Sequence, residues 1–223
     1  MVLLPAILAL LFPSATPAEP TVVPGADRGI HLQVDEVVDL HRAYGLEGLL
    51  DLEAFRTGIA RACAEAPDAH VLAIADMSRP STQKRLVVID LITGRTVLHT
   101  YVAHGQGTGE LMAEVFGNEE GSHRTSLGLY RVGAEIVSPK HGQALLLHGL
   151  DAGVNDRALE REIIMHGADY VSEAFIAAHG RLGRSWGCPA VPRSTMSDLV
   201  QLLADGGLLY VHHPAVEALA AAR

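Results

Sequence analysis

The chain has 223 residues, 48% of them hydrophobic and 19% charged, with a formal net charge of −9. That apolar content supports a packed core and argues against a disordered chain; the length suits one ordinary domain plus a leader or small extension. The acidic balance, with no basic stripe, argues against nucleic acid as a main partner.

Residues 1–18 read MVLLPAILALLFPSATPA. The apolar run from Val2 to Phe12 is too short to span a bilayer, and small residues follow it up to Thr16-Pro17-Ala18. This reads as a secretory signal peptide, with the mature chain in the periplasm or cell envelope. The n-region lacks Lys and Arg, and a short buried apolar segment is the alternative. No later stretch reaches the roughly 18 uninterrupted apolar residues of a membrane helix, so no stable membrane span is expected after leader removal. Residues 19–33 read as a linker, Pro- and Gly-rich at its start.

A helical extension is expected over 34–69. Val34, Val37, Val38 and Tyr44 form one short apolar face, and Gly45 and Gly48 interrupt it. Asp51 is placed to cap a second helix to about Ala66, and Pro67 ends it. From His70 the period changes. Val71–Ala75, Leu86–Asp90 and Thr96–Ala103 read as strands, with a turn at Thr93-Gly94. The glycine-rich stretch 104–125 reads as a long functional loop, expected to act as a substrate flap. Further strands are expected at Leu127–Val132, Ala144–His148, Ile163–His166 and Leu208–Val211. Helices are expected at Tyr170–Ala178 and from a Ser194 cap to about Ala204. The fold class is therefore α+β: a mostly β sandwich or barrel-like domain over 70–214, an N-terminal helical extension, and a tail at 215–223.

Two segments carry chemistry. One is Ile163-Ile164-Met165-His166-Gly167, the other Gly183-Arg184-Ser185-Trp186-Gly187-Cys188-Pro189. A cysteine attacks carbonyl carbon as its thiolate and needs a neighbour to take the proton. His166, at a strand end beside a glycine, suits that task. Gly187 permits a sharp turn, so that the amides of Gly187 and Cys188 are candidates to point at a carbonyl oxygen. A chance pairing among 12 histidines is the bland alternative. Arg184 and Arg181 read either as carboxylate binders or as solvated surface arginines, and Trp186 either as a wall of the site or as core. Cys63 falls on the apolar stripe Leu52, Phe55, Ile59, Cys63 and reads as structural, with a Cys63–Cys188 disulfide as the alternative. His141, His148, His166, His212 and His213 fall near predicted strand ends. Without a His-Glu-x-x-His or Cys-x-x-Cys pattern, no metal and no other cofactor is expected.

At these residues the sequence resembles the murein L,D-transpeptidase catalytic-domain family, in the branch whose active-site segment reads Gly-Arg-Ser-Trp-Gly-Cys-Pro-Ala. The likeness extends through Pro80–Leu91, Ala103-His104-Gly105, Gly121-Ser122-His123, Ser126-Leu127-Gly128, Leu147-His148-Gly149-Leu150, Asn155-Asp156 and His166–Ser172. It implies a cysteine acyl-transferase acting on peptidoglycan stem peptides, a monomer needing no cofactor. Cys188 is then the nucleophile and His166 the base. The Gly167 carbonyl orients the imidazole, and the Gly187 and Cys188 amides hold the oxyanion. Arg184, Ser185, Trp186 and His148 are the implied substrate contacts. Most of the superfamily has His where this chain has Trp186. The resemblance leaves the acyl acceptor open: a stem amine, a D-amino acid, a lipoprotein lysine, or water in an L,D-carboxypeptidase. A peptidoglycan-binding protein without turnover is a further alternative.

Overall fold

The computed structural model describes residues 34–215. The expected leader and linker, and the tail beyond Ala215, lie outside them. Two helices open the described chain, α1 (Val34–Ala43) and α2 (Leu52–Glu65). Asp51 caps α2 by accepting from the amides of Glu53 and Ala54. Ala54, Phe55, Ile59 and Ala62 form its buried stripe. Gly58 on that stripe lets the helix approach the sheet: a Cβ there would lie 2.9 Å from Ile74 Cδ1 and 3.0 Å from Tyr210 Cδ1.

The strands are β1 (Val71–Asp76), β2 (Leu86–Asp90), β3 (Arg95–Thr100), β4 (Gly128–Ser138), β5 (Gly142–Gly149), β6 (Ile164–Ala168), β7 (Ala190–Pro192) and β8 (Leu208–His212). Helix α3 (Glu173–His179) precedes β7. A 3-10 turn (Arg193–Thr195) and α4 (Met196–Leu203) follow it. All eight strands form one sheet, in the order β3-β2-β1-β8-β4-β5-β6-β7. Its two ends nearly meet. Just past β3, the Ala103 amide donates to the Ala190 carbonyl at 2.8 Å, and the Ala190 amide donates back at 3.4 Å. The α+β, barrel-like class therefore holds, as a single rolled sheet rather than two stacked ones.

Strand alternation explains the two cores. Leu72 and Ile74 of β1 face one side with Val87, Ile89, Leu208 and Tyr210, and α1 and α2 cover them. Ala73 and Ala75 face the other side with Val88, Leu145, Leu147 and the α4 residues Leu199 and Leu203. Strands buried on both faces read as unbroken apolar runs, which is why β1, β2 and β8 stand out in the sequence. Three expectations need correction. Strand β7 was not expected, because it is only three residues long and ends on a proline. Ser194 does not cap α4: it lies inside the 3-10 turn, and the helix starts after Thr195. Helix α3 starts at Glu173, capped by Ser172, whose hydroxyl accepts from the Phe175 amide at 3.2 Å. Among the described residues, no helix is long and apolar enough to cross a membrane.

Candidate active site

Strand pairing brings His166 beside the strand that follows Cys188. β6 and β7 run parallel with His166 opposite Ala190, and the His166 amide donates to the Pro189 carbonyl at 3.4 Å. Cys188 thus enters β7 beside the histidine. Both side chains line a cavity of about 730 Å³. Its other walls are the end of the β4–β5 hairpin (136–141), the segment 159–164, Tyr170 and the turn 184–186.

His166 is buried, and its Nδ1–H donates to the Gly167 carbonyl at 3.2 Å. With Nδ1 so occupied, Nε2 is the proton-accepting nitrogen. The His141 ring from the hairpin stacks on it, centroids 3.8 Å apart. Burial pushes the His166 pKa down to about 4, with His141, Arg193 and Lys140 adding to the effect and the Gly167 carbonyl opposing it. The imidazole is therefore a free base at neutral pH. Burial raises the Cys188 thiol, while the backbone of Ile164, Arg161, its own amide and Lys140 pull it down. Its Sγ–H donates to the Glu162 carbonyl at 3.7 Å. Glu162 itself has a positive φ of 54°, a conformation uncommon for a non-glycine residue. The resting pair is thus a thiol and a neutral imidazole, suited to general-base activation.

The turn before the cysteine is held from within. Ser185 Oγ donates to the Cys188 carbonyl at 2.6 Å and accepts from the Gly187 amide at 3.1 Å. Thr125 Oγ1 donates to the Gly187 carbonyl at 3.3 Å. The Gly187 amide, expected as an oxyanion donor, is therefore already engaged by Ser185. Of the two amides expected, that of Cys188 remains as the candidate.

The other expected residues divide. Ser185, Trp186 and Arg184 line the cavity. Trp186 is 63% exposed and sits at the rim rather than in the core. His123 stacks on it at 5.0 Å, and Lys140 Nζ lies 4.5 Å from its ring centroid. Arg184 and Arg181 both pair with Glu110, at 2.6 and 2.9 Å. His148 does not line the cavity; it is exposed on β5, with its imidazole over Gly133. The stretch 104–125 is a long loop, but none of its residues lines this cavity, so it is no flap over it. The hairpin end covers the site instead. Cys63 and Cys188 are both free. Among the described residues, no group of three His, Cys, Asp or Glu side chains is placed to hold a metal.

Sequence reasoning missed Lys140, Arg161 and Tyr170, and took His141 only as one histidine among several. No local motif marks Lys140 or Arg161, and Tyr170 stands in the quoted segment His166–Ser172 without an assigned role. Their place depends on how far the hairpin and the turn-rich segment fold back over β6.

The family model for the L,D-transpeptidase catalytic domain matches residues 48–212. The chain belongs to that family. The L,D-transpeptidase match takes in α2, all eight strands and the whole cavity. Similar solved structures include an L,D-transpeptidase from Mycobacterium smegmatis, at 13% identity, 65% of this chain, 59% of that one and a TM-score of 0.40. An L,D-transpeptidase from Stackebrandtia nassauensis has 16% identity, 80% and 76% coverage and a TM-score of 0.38. An L,D-transpeptidase solved in complex with imipenem has 12% identity, 64% and 59% coverage and a TM-score of 0.38. The chain thus spans 59% of the length of the Mycobacterium smegmatis protein. The comparison with curated protein sequences returned no match.

Proposed function

We propose that this protein is an exported cysteine acyl-transferase acting on peptidoglycan stem peptides. The carrying observation is that Cys188 and His166 line one cavity, the histidine held as a neutral base by burial and oriented by the Gly167 carbonyl. Cys188 Sγ attacks the carbonyl that joins the L-centre of diaminopimelate to the terminal D-Ala. Its proton passes to His166 Nε2. The tetrahedral oxyanion takes the Cys188 amide as donor, and collapse breaks the C–N bond. His166 returns the proton to the leaving D-Ala amine, which leaves a thioester on Cys188. An incoming amine then attacks the thioester and gives its proton to His166; the C–S bond breaks, and His166 returns that proton to the Cys188 sulfur.

Intact-protein mass spectrometry tests this after incubation with a disaccharide tetrapeptide or a carbapenem. The expected result is one adduct on Cys188, absent in Cys188→Ala, with transfer falling roughly a thousand-fold or more in His166→Ala. Full acyl transfer by Cys188→Ala would end the proposal.

A further inference from the structure

The turn-rich segment between β5 and β6 carries a cation into the site. Arg161 is partly buried and lines the cavity with Cys188. Its Nη1–H groups donate to the Gly117 carbonyl at 3.2 Å and to Ser126 Oγ at 2.5 Å. Its Nη2–H donates to the Arg124 carbonyl at 2.7 Å. These three acceptors are neutral oxygens on the long loop and on Ser126 just after it, so the bonds hold the guanidinium without cancelling its charge. The same Nη2 sits behind the nucleophile turn: a Cβ on Gly187 would lie 3.3 Å from it. The next residue, Glu162, turns its carbonyl to the Cys188 sulfur. Segment 161–162 therefore meets the nucleophile turn at two points.

We infer that Arg161 is a positioning residue for the nucleophile, a fixed positive charge behind the turn 185–188 that supports the anionic sulfur while its fork anchors segment 161–162 to the long loop. The loop contacts alone would be a structural matter. The charge is separable from them, because Arg161 leads Lys140 among the charged side chains that favour the thiolate against burial. Lys140 and His141 face the sulfur's cavity from the hairpin, His166 from β6, Tyr170 from the turn after β6, and Glu162 and Arg184 from the flanking turns. Burial, and then the charge of Cys188, raise the Tyr170 pKa, while burial lowers that of Arg161 and Tyr130 and Glu119 oppose it. A neighbouring opposite charge favours the charged form of a titrating group, and partial exposure weakens the effect.

The inference rests on Cys188 being the nucleophile, but its test reads the thiol alone. Iodoacetamide alkylation of Cys188 is followed from about pH 6 to 10 by peptide mass spectrometry, in a Cys63→Ala background. Arg161→Met is expected to move the midpoint up by about one unit and slow alkylation near pH 7 about ten-fold. Arg161→Lys, which keeps the charge and loses the fork, is expected to stay within about three-fold. Should the Met variant not fold, Arg161→Gln removes the charge and keeps an N–H donor for the loop carbonyls. A neutral variant that titrates with the unsubstituted protein overturns the inference, as does a Lys variant as slow as the neutral one. Either result is distinct from failure of the transferase reading, which would appear as acyl transfer surviving Cys188→Ala.

Discussion

At Gly187 the backbone runs at φ +122°, a region that L side chains rarely adopt. A Cβ there would also meet the Arg124 carbonyl oxygen at 2.9 Å, and backbone cannot swing away as a side-chain tip can. Gly187→Ala therefore forces the turn to shift beside Cys188. Displacement of a reacting atom by about 1 Å costs on the order of 100-fold in rate. Carbapenem acylation of Cys188 is expected to fall about that much, with circular dichroism unchanged. Gly180→Ala is the control. Its φ is +71°, but nothing lies within 4 Å of the added methyl and it ends α3 away from the cavity. Equal acylation rates in the two variants would show that the contact with Arg124 is unimportant. Cys188 and His166 could be singled out in the sequence because each lies in a local pattern, a glycine turn and a strand end, and the structure puts both on one cavity. The oxyanion role read for Gly187 was not reliable, since a hydroxyl two residues away takes its amide. Arg161 was invisible, because its meaning comes from three oxygens between 35 and 44 positions away in the chain.

The β4–β5 hairpin is the element that covers the site. Its register shifts between Val132 and Glu135, and such an irregularity bends a strand pair. Beyond the irregularity, Ile136 to Ser138 stay paired with β5, and Ile136 to His141 line the cavity, with Val137 left 81% exposed. Few core contacts hold this end. Two ring contacts do: His141 on His166, and Lys140 over Trp186. A cation–π contact at an exposed site contributes about 0.5–1 kcal/mol, or roughly two- to five-fold in an opening equilibrium. Hydrogen exchange over 136–141 is expected to speed by that factor in Trp186→Ala, to stay near its original rate in Trp186→Phe, and to leave β1 and β8 unchanged. Exchange unaltered by Trp186→Ala would mean the indole does not hold the hairpin. The sequence showed parts of both strands, Leu127–Val132 and Ala144–His148, but stopped at the bend. Past it the residues are polar or exposed and carry no core-facing period, so their reach over the site could not be read. The flap expected at 104–125 failed for a related reason. Glycine content marks a loop but not which side of the nucleophile it packs against.

Across the whole molecule, two buried histidines make stability depend on acid. His166 and His104 are each about 1% exposed. Burial, with Arg85 beside His104, holds the His104 pKa down to about 4, and burial holds His166 at about 4 as well. His104 is tied into the fold by Arg85, whose Nη2–H donates to its Nδ1 at 2.8 Å. In the unfolded chain both imidazoles take up protons near the ordinary value of 6.5. Between about 6.5 and 4 the unfolded state binds more protons than the fold. Stability therefore rises with pH through that window, is complete above it, and is lost progressively as pH falls toward 4. Each histidine contributes on the order of 3 kcal/mol to that loss. Urea unfolding at about pH 7 and pH 4.5 measures it, and His166→Gln isolates one share: the variant should lose less stability on acidification than the unsubstituted protein. An identical loss in both would mean that His166 is not held neutral by the fold. The same burial that keeps the His166 imidazole neutral at pH 7, as the proposed base for Cys188 requires, is one of the two shares of stability that the barrel gives up in acid.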